Sequence, residues 1–437
     1  MIRRPGAILA LLTGLNLLNY LDRLVVSAVL PKIQDDLGLS NFMGGFLATI
    51  FLLGYFTTAP VFGALGDRMQ RKWLVAFGVV VWSAATCASG LATTATQLLV
   101  ARAFVGIGEA SYATLAPTII DDLSPPERKG RNLAYFYGAT PFGAALGYLV
   151  GGFVEARWGW RSAFFVAGAP GLVIALVCLA IAEPERKFSS VKPDLKKDLA
   201  TLARTTLYRQ GVLGYCAYTF AIGAFSYWAP KFLYARYHLA LDVANFRFGL
   251  ITVAAGVIAT FLGGFWADRM RKGITGESKL RPEDAKRYRD EPPAVHAQRV
   301  DMREGRAEPE NDAVVRGLLR ICAIGSAVGA PLALACFLSP SAGIFFVLVF
   351  LCILALFLST SPINAVVLSA VPPGLRASAM ALSILAIHLL GDLWSPMLVG
   401  ALADHVPFEL AMMLLPVAIA VSAFIWWPRR PRQPESA

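Results

Sequence analysis

Twelve stretches of this chain are apolar over about 20 residues each, the length of helix that crosses the hydrocarbon core of a bilayer. They run 7–30, 42–65, 73–93, 97–120, 132–154 and 162–182, then 208–230, 246–267, 314–337, 342–370, 376–402 and 408–427. Lipid offers no partner to a backbone N–H or C=O, so each stretch is expected to be a helix that bonds internally. Only 16% of the 437 residues are charged and 56% are hydrophobic, whereas a soluble chain carries roughly 25% charge. That balance excludes a solvated multidomain enzyme, a disordered chain, a collagen and a disulfide scaffold, and leaves an all-α membrane protein.

The net charge of +11 does not point to nucleic acid, because the basic residues sit in short loops between apolar runs. With the N-terminus cytoplasmic, the opposite side holds only Lys32, Arg157, Arg161, Lys231, Arg236 and Arg247 of the 40 Lys and Arg. That bias predicts a multi-pass protein with both termini in the cytoplasm, on an inner membrane if bacterial. Arg3 and Arg4 precede the first run, but no small-residue cleavage site follows it. The run therefore reads as a first transmembrane helix and not as a signal peptide. All six cysteines fall in apolar segments without CxxC spacing, so neither a disulfide framework nor a metal site is expected. No Walker A sequence, GxSxG elbow or dinucleotide fingerprint occurs, so no cofactor and no enzymatic activity are expected.

An internal repeat divides the chain. Gly63-Ala64-Leu65-Gly66-Asp67-Arg68-Met69 returns 201 residues later as Gly264-Phe265-Trp266-Ala267-Asp268-Arg269-Met270, each at the end of the second helix of its half. Duplication of a six-helix unit follows, and parallel repeats of this kind build transporters around a central pathway. The expected organisation is a six-helix bundle over 1–183, a cytoplasmic linker over 184–207, a second bundle over 208–427 and a tail over 428–437. The second bundle carries a charged insert over 273–311, where the two signs nearly cancel, as in a solvated loop.

Ionisable residues inside these helices are costly and face a cavity, a partner or an ion path. Asp22 and Arg23 lie deep in the first helix, below Asn16 and Asn19 on a polar stripe. Arg102 and Glu109 are seven apart on the fourth helix, nearly two turns, and Tyr112 extends their face. Desolvation raises a carboxylate's proton affinity and a close arginine lowers it, so movement between two states could load and release a proton. Asp22, Glu109 and Arg102 are the candidates for proton coupling; a static lock between the first and fourth helices is the alternative. Arg23 and Arg102 suit a phosphate head group, since a guanidinium fork matches phosphate oxygens. Asn19, Glu109 and Tyr112 complete that candidate binding face. His388 and Asp392 stand at i,i+4 on the eleventh helix, as a second contact or as a pair anchoring a kink near Pro396. Gly143, Gly147, Gly151 and Gly152 form a ridge suited to close helix packing. Helix seven offers Tyr215, Tyr218, Tyr227 and Trp228; helix ten offers Ser359, Thr360, Ser361 and Asn364. So few polar wall groups fit an amphiphile better than a sugar.

The loop Gly63 to Lys72 and the run Arg102-Ala103-Phe104-Val105-Gly106-Ile107-Gly108-Glu109-Ala110 resemble motifs of the major facilitator superfamily. Leu18-Asn19-Tyr20-Leu21-Asp22-Arg23, Val105 through Ile120, and His388-Leu389-Leu390-Gly391-Asp392-Leu393-Trp394-Ser395-Pro396 resemble its spinster-type members. The resemblance implies twelve helices in two pseudo-symmetric bundles, alternating access, and a latch formed by Asp67 with Arg68, Arg71 and Lys72. Asp268 with Arg269 and Arg271 would be its second copy. It further implies an amphiphilic lipid cargo, of the lysophospholipid or sphingoid-phosphate type, with a proton couple in some members. A protein functional as a monomer is expected. The rivals are a proton-coupled exporter of drug-like or small organic anions and a lipid sensor without turnover. A membrane enzyme lacks a nucleophile–base pair.

Overall fold

The computed structural model describes residues 2–125, 128–183, 195–275, 308–372 and 375–428. The first half forms α1 (Pro5–Leu37), α2 (Asn41–Gly66), α3 (Arg71–Leu91), α4 (Ala95–Leu123), α5 (Lys129–Trp158) and α6 (Trp160–Leu179). A short α7 (Leu195–Arg204) lies within the segment expected as linker. The second half forms α8 (Thr206–Tyr237), α9 (Leu241–Thr275), α10 (Glu308–Leu338), α11 (Ala342–Phe357), α12 (Thr360–Ser369), α13 (Arg376–Ile387), α14 (Ser395–Ala403), α15 (Phe408–Met412) and α16 (Leu414–Trp426). Among the described residues the only extended pairing is an isolated bridge between Ile2 and Ile181. Most of the 273–311 insert and of the 428–437 tail lies outside the described residues.

Every apolar run is helical, but the last three are not continuous helices as the sequence suggested. The tenth breaks between α11 and α12, the eleventh passes through a π-helical turn at His388–Asp392, and the twelfth breaks at Met413. Each break is followed by a proline in the first turn of the next helix: Pro362, Pro396 and Pro416. A proline N–H is missed least there, because first-turn N–H groups have no partner within the helix. Pro31, Pro60, Pro117 and Pro230 stay inside continuous helices, so proline permits a break without forcing one.

Ten helical segments among the described residues are long and apolar enough to cross a membrane. The other two runs, α5 and α8, are long enough at 30 and 32 residues but richer in Gly, Tyr and polar groups. Both sit among other helices: α5 touches α1, α4, α6 and α9, and α8 touches α1, α9, α14 and α16. A helix so surrounded meets less lipid and can be less apolar.

Helix pairing repeats between the halves. In the first, α1 packs on α5, α2 on α4, and α3 on both α4 and α6. In the second, α8 packs on the π turn and α14, α9 on α11, and α10 on both α11 and α16. The contacts between halves mate in the same way, α2 on α14 and α5 on α9. The fold is thus two pseudo-symmetric six-helix bundles. The glycine ridge of α5 serves this packing: a Cβ on Gly143 would stand 2.4 Å from the Leu17 carbonyl oxygen, and one on Gly147 2.6 Å from that of Leu21. Small residues let backbones meet where lipid supplies no hydrophobic drive.

The apolar cores show how the halves meet. One core is shared, joining Val29, Ile33 and Leu47 of the first half to Trp228, Phe232 and Val399 of the second. Two more are almost private: Ile8, Leu74, Val105 and Ile119 in the first half, and Tyr208, Val367 and Ala379 in the second. The first half's share of the joint core lies at the end bearing the α1–α2 turn, while the second half's share also runs to Ala267, Val314 and Val366 near Asp268. At the end bearing Asp67 and Asp268 the two halves keep separate cores.

Candidate functional site

Between these cores, α1 and α4 bring four ionisable side chains together. Neighbouring residues on a helix point about 100° apart, so Asp22 turns to α3 while Arg23 turns to α4. The Thr86 hydroxyl donates to Asp22 Oδ2 at 2.5 Å, and Arg23 Nε donates to Glu109 Oε2 at 2.7 Å. Arg102 lies within Coulombic reach of both acids. Asp22, Arg102 and Glu109 are 1%, 2% and 0% exposed, whereas the Arg23 side chain is 18% exposed. Two acids and two arginines balance, which is what makes burial of the set tolerable.

The arginines rest on aromatic rings. The Arg23 guanidinium carbon is 5.0, 5.1 and 5.3 Å from the ring centres of Tyr20, Phe51 and Tyr55, and that of Arg102 is 5.1 Å from Phe51. Cation–ring attraction gains strength where water is excluded. Glycines create this approach of α2 to α4: a Cβ on Gly106 would stand 1.9 Å from the Phe51 carbonyl oxygen. Asp22 Oδ1, Glu109 Oε1, and Arg102 Nε and Nη1 have no hydrogen-bond partner among the described residues. The set therefore holds bonding capacity beyond its internal pairs.

Other residues singled out from the sequence lie elsewhere or act differently. Asn19 is buried beside Glu109. Asn16 leaves the stripe to bond the Phe136 carbonyl and Thr140 of α5 at 2.8 and 3.2 Å. Tyr112 is fully buried, donates to the Leu12 carbonyl and packs on Trp82 and Phe136, inside the private core of the first half. His388 Nδ1 pairs with the two Asp392 oxygens at 2.9 and 3.0 Å within the π turn, and its ring lies 5.4 Å from that of Phe56 across the halves. Asn364 bonds the Thr360 carbonyl at 2.8 Å, and Ser359 is buried.

At the loop end, Arg71 is buried and bonds Asp122 at 2.6 Å and Glu183 at 2.9 Å, tying α3 to α4 and to the segment after α6. Asp67, Arg68, Asp268 and Arg269 are exposed; the Arg271 side chain lies outside the described residues. Asp122 and Glu183 were not among the sequence candidates, although both flank helix ends opposite a basic loop. Thr86 carried no signal, since a hydroxyl in an apolar run is an ordinary residue until its partner is known.

A duplicated six-helix architecture with balanced charge buried beside the junction of the halves defines a membrane transporter and not an enzyme. A model of the Major Facilitator Superfamily matches residues 12–276. Protein spinster of Drosophila melanogaster is 34% identical over 407 residues, 90% of this chain and 60% of that protein. Protein spinster homolog 1 of Homo sapiens is 33% identical over 430 residues, covering 92% and 74%. Probable sphingolipid transporter spinster homolog 2 of Arabidopsis thaliana is 29% identical over 461 residues, covering 97% and 86%. The crystal structure of a bacterial homolog to the human lysosomal transporter Spinster, inward-facing and occupied, aligns with a TM-score of 0.78 at 21% identity over 98% and 97% of the two chains. The chain belongs to the major facilitator superfamily, and within it to the spinster type.

Proposed function

We propose that the protein is a proton-coupled carrier that moves an amphiphilic lipid anion, of the lysophospholipid or sphingoid-phosphate class, by alternating access. The observation that carries this reading is the Arg23–Glu109 pair: Arg23, 18% exposed, is the one member of the charge set that is not fully buried. An anionic head group and the Glu109 carboxylate compete for one guanidinium. Protonating Glu109 frees Arg23 for the anion, so proton and anion favour each other's binding. Asp22, held by Thr86 and near Arg102, is the second proton carrier. Arg102 and Asn19 complete the inner wall, and His388 with Asp392 faces it across Phe56. The name of the Arabidopsis relative supports the cargo class, and the apolar walls suit a lipid tail.

The moving units are the bundles 1–183 and 208–427, joined by 184–207, in a protein active as a monomer. Both termini lie in the cytoplasm, so the end with separate cores opens inward. Asp67 with Arg68, and Asp268 with Arg269, latch that end when it closes, while Arg71, expected in the same latch, is bonded to Asp122 and Glu183 within the first half and braces it.

The test is transport of a fluorescent lysophospholipid into liposomes under an imposed pH gradient, wild type beside Asp22→Asn. Gradient-driven movement that the variant loses supports the reading. Movement indifferent to pH in both removes the proton from the mechanism. Transport of small organic anions that lysolipids fail to block assigns the site to that other cargo.

A further inference from the structure

At the end with the shared core, the first turn of α2 is completed by the other half of the molecule. A helix begins with N–H groups that have no partner within it. The Ser40 hydroxyl accepts from Met43 N at 3.2 Å, as an ordinary cap. The two preceding N–H groups go elsewhere: Asn41 N donates to Asp404 Oδ1 at 2.8 Å and Phe42 N to Asp404 Oδ2 at 2.9 Å. Asp404 ends α14, so one carboxylate of the second half caps a helix of the first, where a negative charge also meets the positive end of the helix dipole. Beside it, Lys231 of α8 donates to Gln34 Oε1 at 2.6 Å and to Asn41 Oδ1, and Asn41 Nδ2 donates to the Ala403 carbonyl at 3.2 Å. Gln34 in turn holds the α1–α2 turn through the Leu39 and Ser40 carbonyls. The backbones are as close as glycine allows: a Cβ on Gly400 would stand 2.2 Å from the Asn41 carbonyl oxygen, and one on Gly45 2.2 Å from that of Pro396.

We propose that Asp404 is the lock of this end: it holds α2 by its exposed N–H groups, with Lys231 as a second bolt, and both let go each time the end opens. Nothing in this lock is shared with the loop charges Asp67 and Asp268 at the opposite end. The bonds are made to backbone N–H groups at the surface, where water replaces them on release. The lock is therefore specific in register without being permanent.

Charge at Asp404 supports the same assignment. Partial burial pushes its carboxyl up, but the N–H groups of Phe42 and Asn41, with the Ser40 and Asn41 side chains, hold it below the usual carboxylate value. A carboxylate lowered in the closed end stabilises that end fully above its ordinary value, and the gain is lost as pH falls through the lowered value. From about pH 5 upward the lock therefore stays charged. Of the charged groups at this end, Lys231 of α8 lies within reach of both Asp404 and Asp35, Asp36 pairs with Arg161 at 2.6 Å, and Glu409 of α15 lies 3.6 Å from Arg236.

The proposal is independent of cargo and of proton coupling, and its test needs neither. Spin labels at the exposed positions Thr96 and Ala240 report the distance between halves at this end in lipid nanodiscs. Losing a charge-assisted bond pair should raise the ratio of open to closed populations about tenfold in Asp404→Ala, with Asp404→Asn between it and wild type. Asn41→Pro removes one of the N–H donors and the Lys231 acceptor while suiting the first position of a helix; it should open the end equally. Equal distance distributions in wild type and in whichever variants keep the wild-type unfolding profile would overturn the lock. Should Asp404→Ala fail to fold, Asn41→Pro decides alone, and should both fail, Asp404→Asn does.

Discussion

In the first half α1 and α4 bury two acids and Arg102 and half-bury Arg23; in the second half, no charged side chain is buried among the described residues. Yet the helix pairs match one for one. Position 223, which stands 201 residues after Asp22, the offset of the repeated loop motif, is a glycine followed by Ala224. Duplication copied the scaffold, and the charge chemistry stayed in one copy. Physics favours that outcome. A buried charge needs a complete set of partners, and a single balanced set beside the junction serves both halves at one desolvation cost.

The charge set of the first half is tested most directly at Glu109. Glu109→Gln leaves Arg23 without its partner in a mostly buried site and should cost about 3–5 kcal/mol of stability. Chemical unfolding in detergent measures it. Arg23→Gln added to Glu109→Gln should recover most of the loss. A Glu109→Gln protein as stable as wild type would mean that the quartet is not held by its internal charge balance.

Asp22→Asn should next reduce gradient-driven transport on the order of 100-fold, the weight of a charge-assisted bond made in only part of the cycle. Its effect on unfolding should be smaller than that of Glu109→Gln, because Thr86 can still bond the amide. Transport within twofold of wild type would return the charge set to structure.

How much of this could be read from the sequence varies with the kind of feature. Helix number, the repeat and the candidates Asp22, Arg23, Arg102 and Glu109 were legible because lipid punishes charge and rewards apolar length. The right-angle divergence of Asp22 and Arg23 follows from helix geometry alone. Which arginine meets which acid was not legible, since seven-residue spacing on α4 says nothing of how far α2 intrudes; Gly54 and Gly106 decide that. Tyr112 shares a helix face with Glu109, but a face wide enough to hold both also reaches the core of α1, α3 and α5. A kink near Pro396 was one reading of the eleventh run, but the breaks in the tenth and twelfth were hidden because Pro31 and Pro230 look no different from Pro362 and Pro416 in sequence. Asp404 caps a helix end and Lys231 lies within two turns of one, where a charge is ordinary until the chain across from it is known.

A pair of glycines separates shared scaffold from unshared chemistry. Gly106 meets the Phe51 carbonyl oxygen where α4 crosses α2, and Gly263 meets that of Leu358 where α9 crosses toward α12, a Cβ there standing 2.3 Å away. Alanine at either must push backbones apart, at about 1–3 kcal/mol each by unfolding. Only Gly106→Ala should also lower transport, by moving Arg102 off Phe51. Equal transport losses at equal stability would place working chemistry in the second half after all.

The smallest effect is expected at Asp392, and it bears on whether the asymmetry is complete. A Cβ on Gly223 would stand 2.4 Å from Asp392 Cβ, so the second half does bring an acid to the place of Asp22, from another helix. Its surroundings differ. The Asp392 and His388 side chains are 23% and 31% exposed, and they pair with each other on one turn. A pair so solvated contributes at most about 1 kcal/mol, so Asp392→Asn should change stability by less than that and transport by less than about threefold. A loss matching Asp22→Asn would show that the two halves carry paired acids on opposite sides of one pathway, with the repeat preserved in space where the sequence has lost it.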